Sequence, residues 1–273
     1  MKDIEVSIDG SNRNKGKFFL IYGVTNTGKT TSSLATLPDP ILHILAEPRA
    51  VEPMVDPIGR IIGKDGVWTV VDVGGVEKRM RFMNPGKWDE QQEFLAEEAG
   101  KPELPYKSLL YDGSSYMMNF IISEEIETET LDAGIWDAKN SEGRRIGPTK
   151  RRLVDSTRKD LSGFGAAAKL MLRTFRLLGA ISQKGVVVVA TALLDDDGID
   201  KQPEFIGKMF GNNFPGMVDC IGMVSDRYVD GAVVYPPLVR FEKTEDENFL
   251  TKWTGKHDKK LVGPLHWGKI LSL

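Results

Sequence analysis

Hydrophobic and polar positions alternate along this chain in blocks that predict an α/β protein. KFFLIYG (17–23) is a short apolar run closed by glycine, the pattern of a buried strand. GKTTSSLATL (28–37) has helical spacing and stops at Pro38. ILHILA (41–46) predicts a second buried strand, and Pro48, Pro53 and Pro57 make the next stretch irregular. GVWTVVDVGGVEKRMRF (66–82) reads as a hairpin turning at Gly74-Gly75. A helix is expected from Trp88 to Ala99, closed by Gly100, then a strand SLLYD (108–112) and a helix over 115–126. Leu161, Phe164, Ala168, Met171, Phe175 and Leu178 recur at steps of three and four, which marks an amphipathic helix. VVVVATALL (186–194) is a further buried strand, and strand-like runs follow at 218–224, 232–235 and 238–242.

Strands and helices alternating in this order predict a mostly parallel central sheet flanked by helices. The β-rich C-terminal third is expected to extend one edge of that sheet. We divide the chain into a polar lead-in (1–16), one main domain (17–255) and a C-terminal tail (256–273). Within the main domain, 132–159 is polar and charged and reads as a long mobile loop, a length that compact domains keep for function or disorder.

Composition narrows the classes. Of the 273 residues, 41% are hydrophobic and 27% charged, as in ordinary globular proteins, so bulk disorder is not expected. No run reaches the roughly 20 apolar residues of a membrane span, and MKDIEVSIDG is too polar for a secretory signal. A single cysteine, Cys220, forms no internal disulfide and fits a cytoplasmic setting. His43, His257 and His266 have no metal-ligand spacing, and His43 is expected to be a hydrogen-bonded core histidine. The net charge of −3 means that any nucleic-acid contact must come from a local patch or an assembled groove.

The chemistry is carried by Gly23-Val24-Thr25-Asn26-Thr27-Gly28-Lys29-Thr30, which fits G-x-x-x-x-G-K-[ST] without mismatch; Thr31 follows. Such a loop needs successive N–H groups turned into one concavity, and glycine permits the backbone angles. The helix after it adds its positive end. Lys29 is expected at the β- and γ-phosphates and Thr30 on Mg²⁺. Asp112, ending SLLYD, is the natural second acid at the metal, because strand ends of a parallel sheet share one crevice. Glu47, just after the second strand, is the candidate general base. Thr191, in VVVVATALL, is the candidate γ-phosphate sensor.

Together Gly28-Lys29-Thr30-Thr31, Ala46-Glu47 and Tyr111-Asp112 resemble the RecA-type ATPase core. Within that class LIYGVTNTGKTT, LLYDGSSYM, VVVVATALL and FPGMVDCIGMV (214–224) look most like the small phage-encoded RecA-like ATPases of the "Sak-four" group, linked to single-strand annealing and recombination. The resemblance implies a RecA-like P-loop NTPase core that uses ATP and Mg²⁺, assembles as a homo-oligomeric ring or filament, and works on single-stranded DNA in the host cytoplasm. It also implies a cation given to a neighbour's nucleotide, for which Arg240, Lys243, Lys252 and Lys256 are the candidates.

Arg144, Arg145, Lys150, Arg151, Arg152 and Arg158 crowd the predicted loop. Cations there can neutralise DNA phosphates and release counterions, although a solvated charged loop carries the same residues. Lys169, Arg173 and Arg176 fit the wet face of the 161–178 helix. Phe241, Phe249, Trp253 and Cys220 are expected in the core. Two other readings stay open from sequence: a P-loop NTPase or kinase without nucleic acid, and an assembly protein that uses nucleotide to set its oligomer state.

Overall fold

The computed structural model describes residues 16–46, 66–73, 75–84, 88–121, 162–195, 201–205, 208–242, 249–254 and 262–272. These form a mixed α/β fold around one ten-stranded sheet. In chain order the elements are β1 (Phe18–Gly23), α1 (Lys29–Thr36), β2 (Ile41–Leu45), β3 (Trp68–Val73), β4 (Val76–Met83), α2 (Trp88–Gly100), β5 (Ser108–Asp112) and α3 (Ser114–Phe120). They continue with α4 (Ser162–Ser182), β6 (Val187–Asp195), β7 (Gln202–Pro203), α5 (Lys208–Asn213), β8 (Cys220–Val229), β9 (Ala232–Arg240), β10 (Val262–Pro264) and α6 (Trp267–Ile270).

The sheet runs β10-β9-β8-β1-β6-β5-β2-β4-β3, with β7 paired to β6. Its centre, from β8 to β4, is parallel throughout. Antiparallel hairpins finish both edges: β3 with β4 on one side, β8 with β9 and β10 on the other. The five residues of β2 and all six of β1 are buried, as expected for strands covered on both faces.

Alternate residues of β1 feed two cores. Phe18, Leu20 and Tyr22 pack with Leu95 of α2, Met117 of α3, Met171 and Phe175 of α4 and Phe210 of α5. Phe19 and Ile21 pack on the opposite side with Leu34 and Leu37 of the α1 segment and Trp267 of α6. The chain leaves β1 over the α1 face to reach β2, and leaves β6 over the other face to reach β8. Such reversals open a crevice at the carboxyl ends of the strands.

The amphipathic spacing of α4 is borne out. Ala168, Met171, Phe175 and Leu178 are buried, and Lys169, Arg173 and Arg176 are exposed. Phe241, Phe249, Trp253 and Cys220 are buried too. Among the described residues, no helix is long and apolar enough to cross a membrane.

Two expectations need correction. The runs 232–235 and 238–242 form one strand, β9, that passes through Pro236-Pro237. Proline donates no ladder hydrogen bond, and the pairing adjusts by a register shift between Ser225 and Arg227 of β8. The second correction concerns the tail. Its described part, 262–272, belongs to the domain: β10 pairs with β9, and Leu265 and Trp267 are fully buried. The Trp267 ring stands edge-on to Phe19 at 4.9 Å, and its backbone N–H donates to Thr36 Oγ1 at 3.1 Å. The apolar residues of this segment, among them Val262, Leu265, Trp267 and Ile270, follow neither a strand nor a helix period throughout, which is why the sequence pattern does not place them.

Trp267→Ala is therefore expected to cost about 3–5 kcal/mol in stability. Urea unfolding checks this; an unchanged midpoint would place the tail outside the core.

Candidate nucleotide site

The loop from Gly23 to Thr30 joins the carboxyl end of β1 to the first turn of α1. Its shape depends on glycine. Gly28 has φ +79°, a left-handed conformation that side chains disfavour. A Cβ on Gly23 would lie 2.3 Å from the carbonyl oxygen of Val224 in β8. Asn26 also takes φ +64°, a conformation asparagine tolerates better than most residues. Val24, Thr25 and Asn26 are exposed, whereas Thr27 is buried and donates to the Val24 carbonyl at 2.9 Å.

Lys29 turns back onto its own loop. Its Nζ donates to the carbonyls of Gly23 at 2.9 Å and Val24 at 2.7 Å. Burial pushes the ammonium down to about 8, against the opposing pull of Asp112. A cation so placed is held by neutral oxygens in a poorly hydrated position, so an anionic ligand in the loop is a better partner.

Asp112 is the second centre. Thr30 Oγ1 donates to its Oδ2 at 2.9 Å, and Thr191 Oγ1 donates to its Oδ1 at 2.5 Å. The same Thr191 oxygen accepts the N–H of Gly113 at 2.9 Å. Burial alone would raise the Asp112 carboxyl; His43 and the two threonine hydrogen bonds outweigh it and hold the carboxyl below its ordinary value. The strand end is held by its neighbours as well. Tyr111 donates to Gln91 Oε1 of α2 at 2.7 Å, and the Ala46 N–H donates to the Asp112 carbonyl at 2.8 Å.

Sheet order explains the convergence. β6 lies between β1 and β5 and is parallel to both. The loop after β1, Thr191 of β6 and Asp112 of β5 thus reach the same sheet edge. Three residues far apart in sequence, Thr30, Asp112 and Thr191, meet there.

The residues present fit the groups the sequence implies. Mg²⁺ takes oxygen ligands, few of them from protein, and keeps waters and phosphate oxygens. The Thr30 hydroxyl and the Asp112 carboxylate supply such an oxygen pair. A triphosphate needs a glycine-permitted turn ahead of a helix and a cation, and the left-handed Gly28 before α1 and Lys29 are of that kind.

Other predicted residues are placed differently. Glu47, the basic run Arg144, Arg145, Lys150, Arg151, Arg152 and Arg158, and Lys243 and Lys256 lie outside the described residues. Lys252 is half-buried and donates to the carbonyls of Pro215 at 2.7 Å and Val218 at 2.6 Å. Its ammonium is engaged with its own chain, as that of Lys29 is. Arg240 ends β9 and remains a candidate.

His43 also departs from expectation. It is buried, 1% exposed, but neither ring nitrogen has a hydrogen-bond partner. Its Nε2 lies 3.6 Å from Asp112 Oδ2, beyond hydrogen-bond length, and its ring stands edge-on to Phe82. Residue spacing gave no signal for this proximity, which arises from the β2–β5 pairing.

No protein-family model matches this chain, and no curated protein matches it either.

The Asp112 arrangement predicts the effect of one substitution. Thr191→Val removes a donor from Asp112 and the acceptor of the Gly113 N–H. It is expected to cost about 1–3 kcal/mol, while Thr191→Ser keeps most of the stability. Denaturant unfolding of both variants checks this; equal stability of Val and Ser variants would contradict the hydrogen-bond assignment.

Proposed function

We propose that the chain is an ATP-binding and ATP-hydrolysing P-loop protein with a RecA-like core, acting as an oligomer on single-stranded DNA in annealing or recombination. The observation that carries the nucleotide part is the meeting of Lys29, Thr30, Asp112 and Thr191 at the carboxyl edge of a parallel sheet. Support for the DNA part comes from the cluster of cations between Arg144 and Arg158 and from the likeness of the GKTT, Ala46-Glu47 and Tyr111-Asp112 segments to RecA-type ATPases.

The chemistry assigned to the residues is phosphoryl transfer to water. On substrate binding, Lys29 exchanges two loop carbonyls for the β- and γ-phosphate oxygens. Thr30 and Asp112 would hold Mg²⁺, which would offset the negative charge on the transferring group. Glu47, which directly follows Ala46, takes a proton from the attacking water. The water oxygen bonds to the γ-phosphorus as the bond to the bridging oxygen breaks, and the products are ADP and phosphate. Thr191 donates to the Asp112 oxygen that Thr30 does not bond, so it would orient the carboxylate and stand where a γ-phosphate sensor is needed.

ATP turnover with and without single-stranded DNA, at two salt concentrations, tests the whole reading. Turnover raised by DNA, with a stimulation that weakens as salt rises, is expected. Turnover indifferent to DNA would favour a P-loop kinase or a nucleotide-controlled assembly protein.

Two substitutions refine the test. Lys29→Ala is expected to abolish ATP binding or turnover, since lost charge stabilisation at a transferring phosphoryl group costs roughly 3 kcal/mol or more; near-normal turnover would remove the P-loop assignment. Glu47→Gln is expected to keep ATP binding and slow hydrolysis, as measured by single-turnover kinetics; parallel loss of both would make Glu47 structural.

A further inference from the structure

The phosphate loop reads phosphates, and by itself it says nothing about the rest of the nucleotide. The sheet order limits where that rest can go. Thr191 and Asp112 stand on β6 and β5, to one side of β1. The metal-bearing end of a bound triphosphate belongs on that side, so the nucleoside leaves elsewhere. On the other side of β1 lie β8 and then β9.

An aromatic side chain of β9 stands against the loop there. A Cβ placed on Gly28 would lie 2.7 Å from Cε1 and 3.2 Å from Cδ1 of Tyr235, and 3.8 Å from Cδ of Pro237. The ring thus rests on the loop's second glycine, yet Tyr235 is 63% exposed. The two ring atoms nearest the glycine lie on one edge of the ring, so this contact leaves the ring faces uncovered.

Its position is fixed from behind. Tyr235 sits where the β8–β9 pairing changes register, after Arg227↔Val234 and before Ser225↔Leu238. The Arg227 guanidinium donates to the Tyr235 carbonyl at 3.0 Å. Pro236 and Pro237 follow, and each restricts its own φ. Ordering entropy is therefore already spent on a ring with no other evident burial to gain.

We propose that Tyr235 is the nucleoside platform of this site, stacking its open face against the base or ribose of the bound nucleotide. The inference rests on the phosphate-loop reading and adds the ligand preference of the same site. An aromatic face meets the π-surface that every base carries, not the hydrogen-bonding edge that distinguishes them. Recognition of this type gives weak base selectivity, with purines favoured by their larger surface. The protein accordingly accepts nucleoside triphosphates of several bases.

The test uses the full-length chain with Mg²⁺ and measures binding of ATP, GTP, CTP, UTP and inorganic tripolyphosphate by calorimetry. The wild-type chain is expected to bind the four nucleotides within about tenfold of one another, and more tightly than tripolyphosphate. Tyr235→Ala should weaken each nucleotide by roughly 5- to 100-fold, and Tyr235→Phe by less than about twofold. Tripolyphosphate binding should be unchanged in both. Tyr116→Ala removes an exposed tyrosine on the Asp112 side and should leave all five ligands unaffected.

Equal loss of nucleotide and tripolyphosphate in Tyr235→Ala would overturn the proposal, because Tyr235 would then only brace Gly28. No loss, or a wild-type preference above about 100-fold for one base, would overturn it too. Failure of the underlying reading looks different: Lys29→Ala would bind tripolyphosphate as well as the wild-type chain does.

Discussion

Asp112 accepts hydrogen bonds from Thr30 and Thr191, and the rest of the candidate site is arranged around that carboxylate. Each threonine comes from a different element, one at the start of α1 and one in β6. The carboxylate therefore ties the loop after β1 to the neighbouring strands. Burial works against a charged group in this position, and the threonine donors with His43 nearby counter it. Lys29 meets the same constraint with opposite sign: burial weakens its charge, and Asp112 is the anion that opposes that loss. Lys29 and Asp112 are thus two poorly solvated charges that act on one another, and that pair supports the proposal of an anionic ligand carrying a cation.

The sheet makes that arrangement possible. Parallel strands bring their carboxyl ends to one edge, and placing β6 between β1 and β5 sets Thr191 between the loop and the acid. Helices on both faces remove the strands from water, so all of β1 and β2 can be apolar apart from Tyr22 and His43. The hairpins at either edge have different consequences. β3 and β4 complete the sheet beyond β2. β8 and β9 run back along the loop and deliver Tyr235 to Gly28.

Much of this was legible in the sequence. The strand β1, the loop motif and the helix α1 are local features, so each was readable from adjacent residues. Asp112 and Thr191 were also accessible, because an acid or a hydroxyl near a buried strand's carboxyl end has a position once the sheet is parallel. What stayed hidden depends on pairing across the sheet. His43 reaches Asp112 only because β2 lies beside β5. The two prolines after Tyr235 read as a break between runs, whereas the strand absorbs them by shifting register. Trp267 is one apolar residue in a short terminal segment, and no periodicity marks it as a partner of Phe19. Lys252 was a candidate on the resemblance, and its carbonyl partners come from the 215–218 segment.

The central claim is that Asp112 and Thr30 form the metal-binding half of a nucleotide site whose other half is the loop with Lys29. The most direct measurement is ATP affinity by calorimetry, with and without Mg²⁺, in the wild-type chain and in Asp112→Asn. The asparagine keeps the shape of the side chain and removes its charge. The account predicts that Mg²⁺ tightens wild-type binding by at least about tenfold, or 1.4 kcal/mol, and that most of this gain is lost in the variant. The same Mg²⁺ dependence in both chains, or no ATP binding by the wild-type chain, would contradict it.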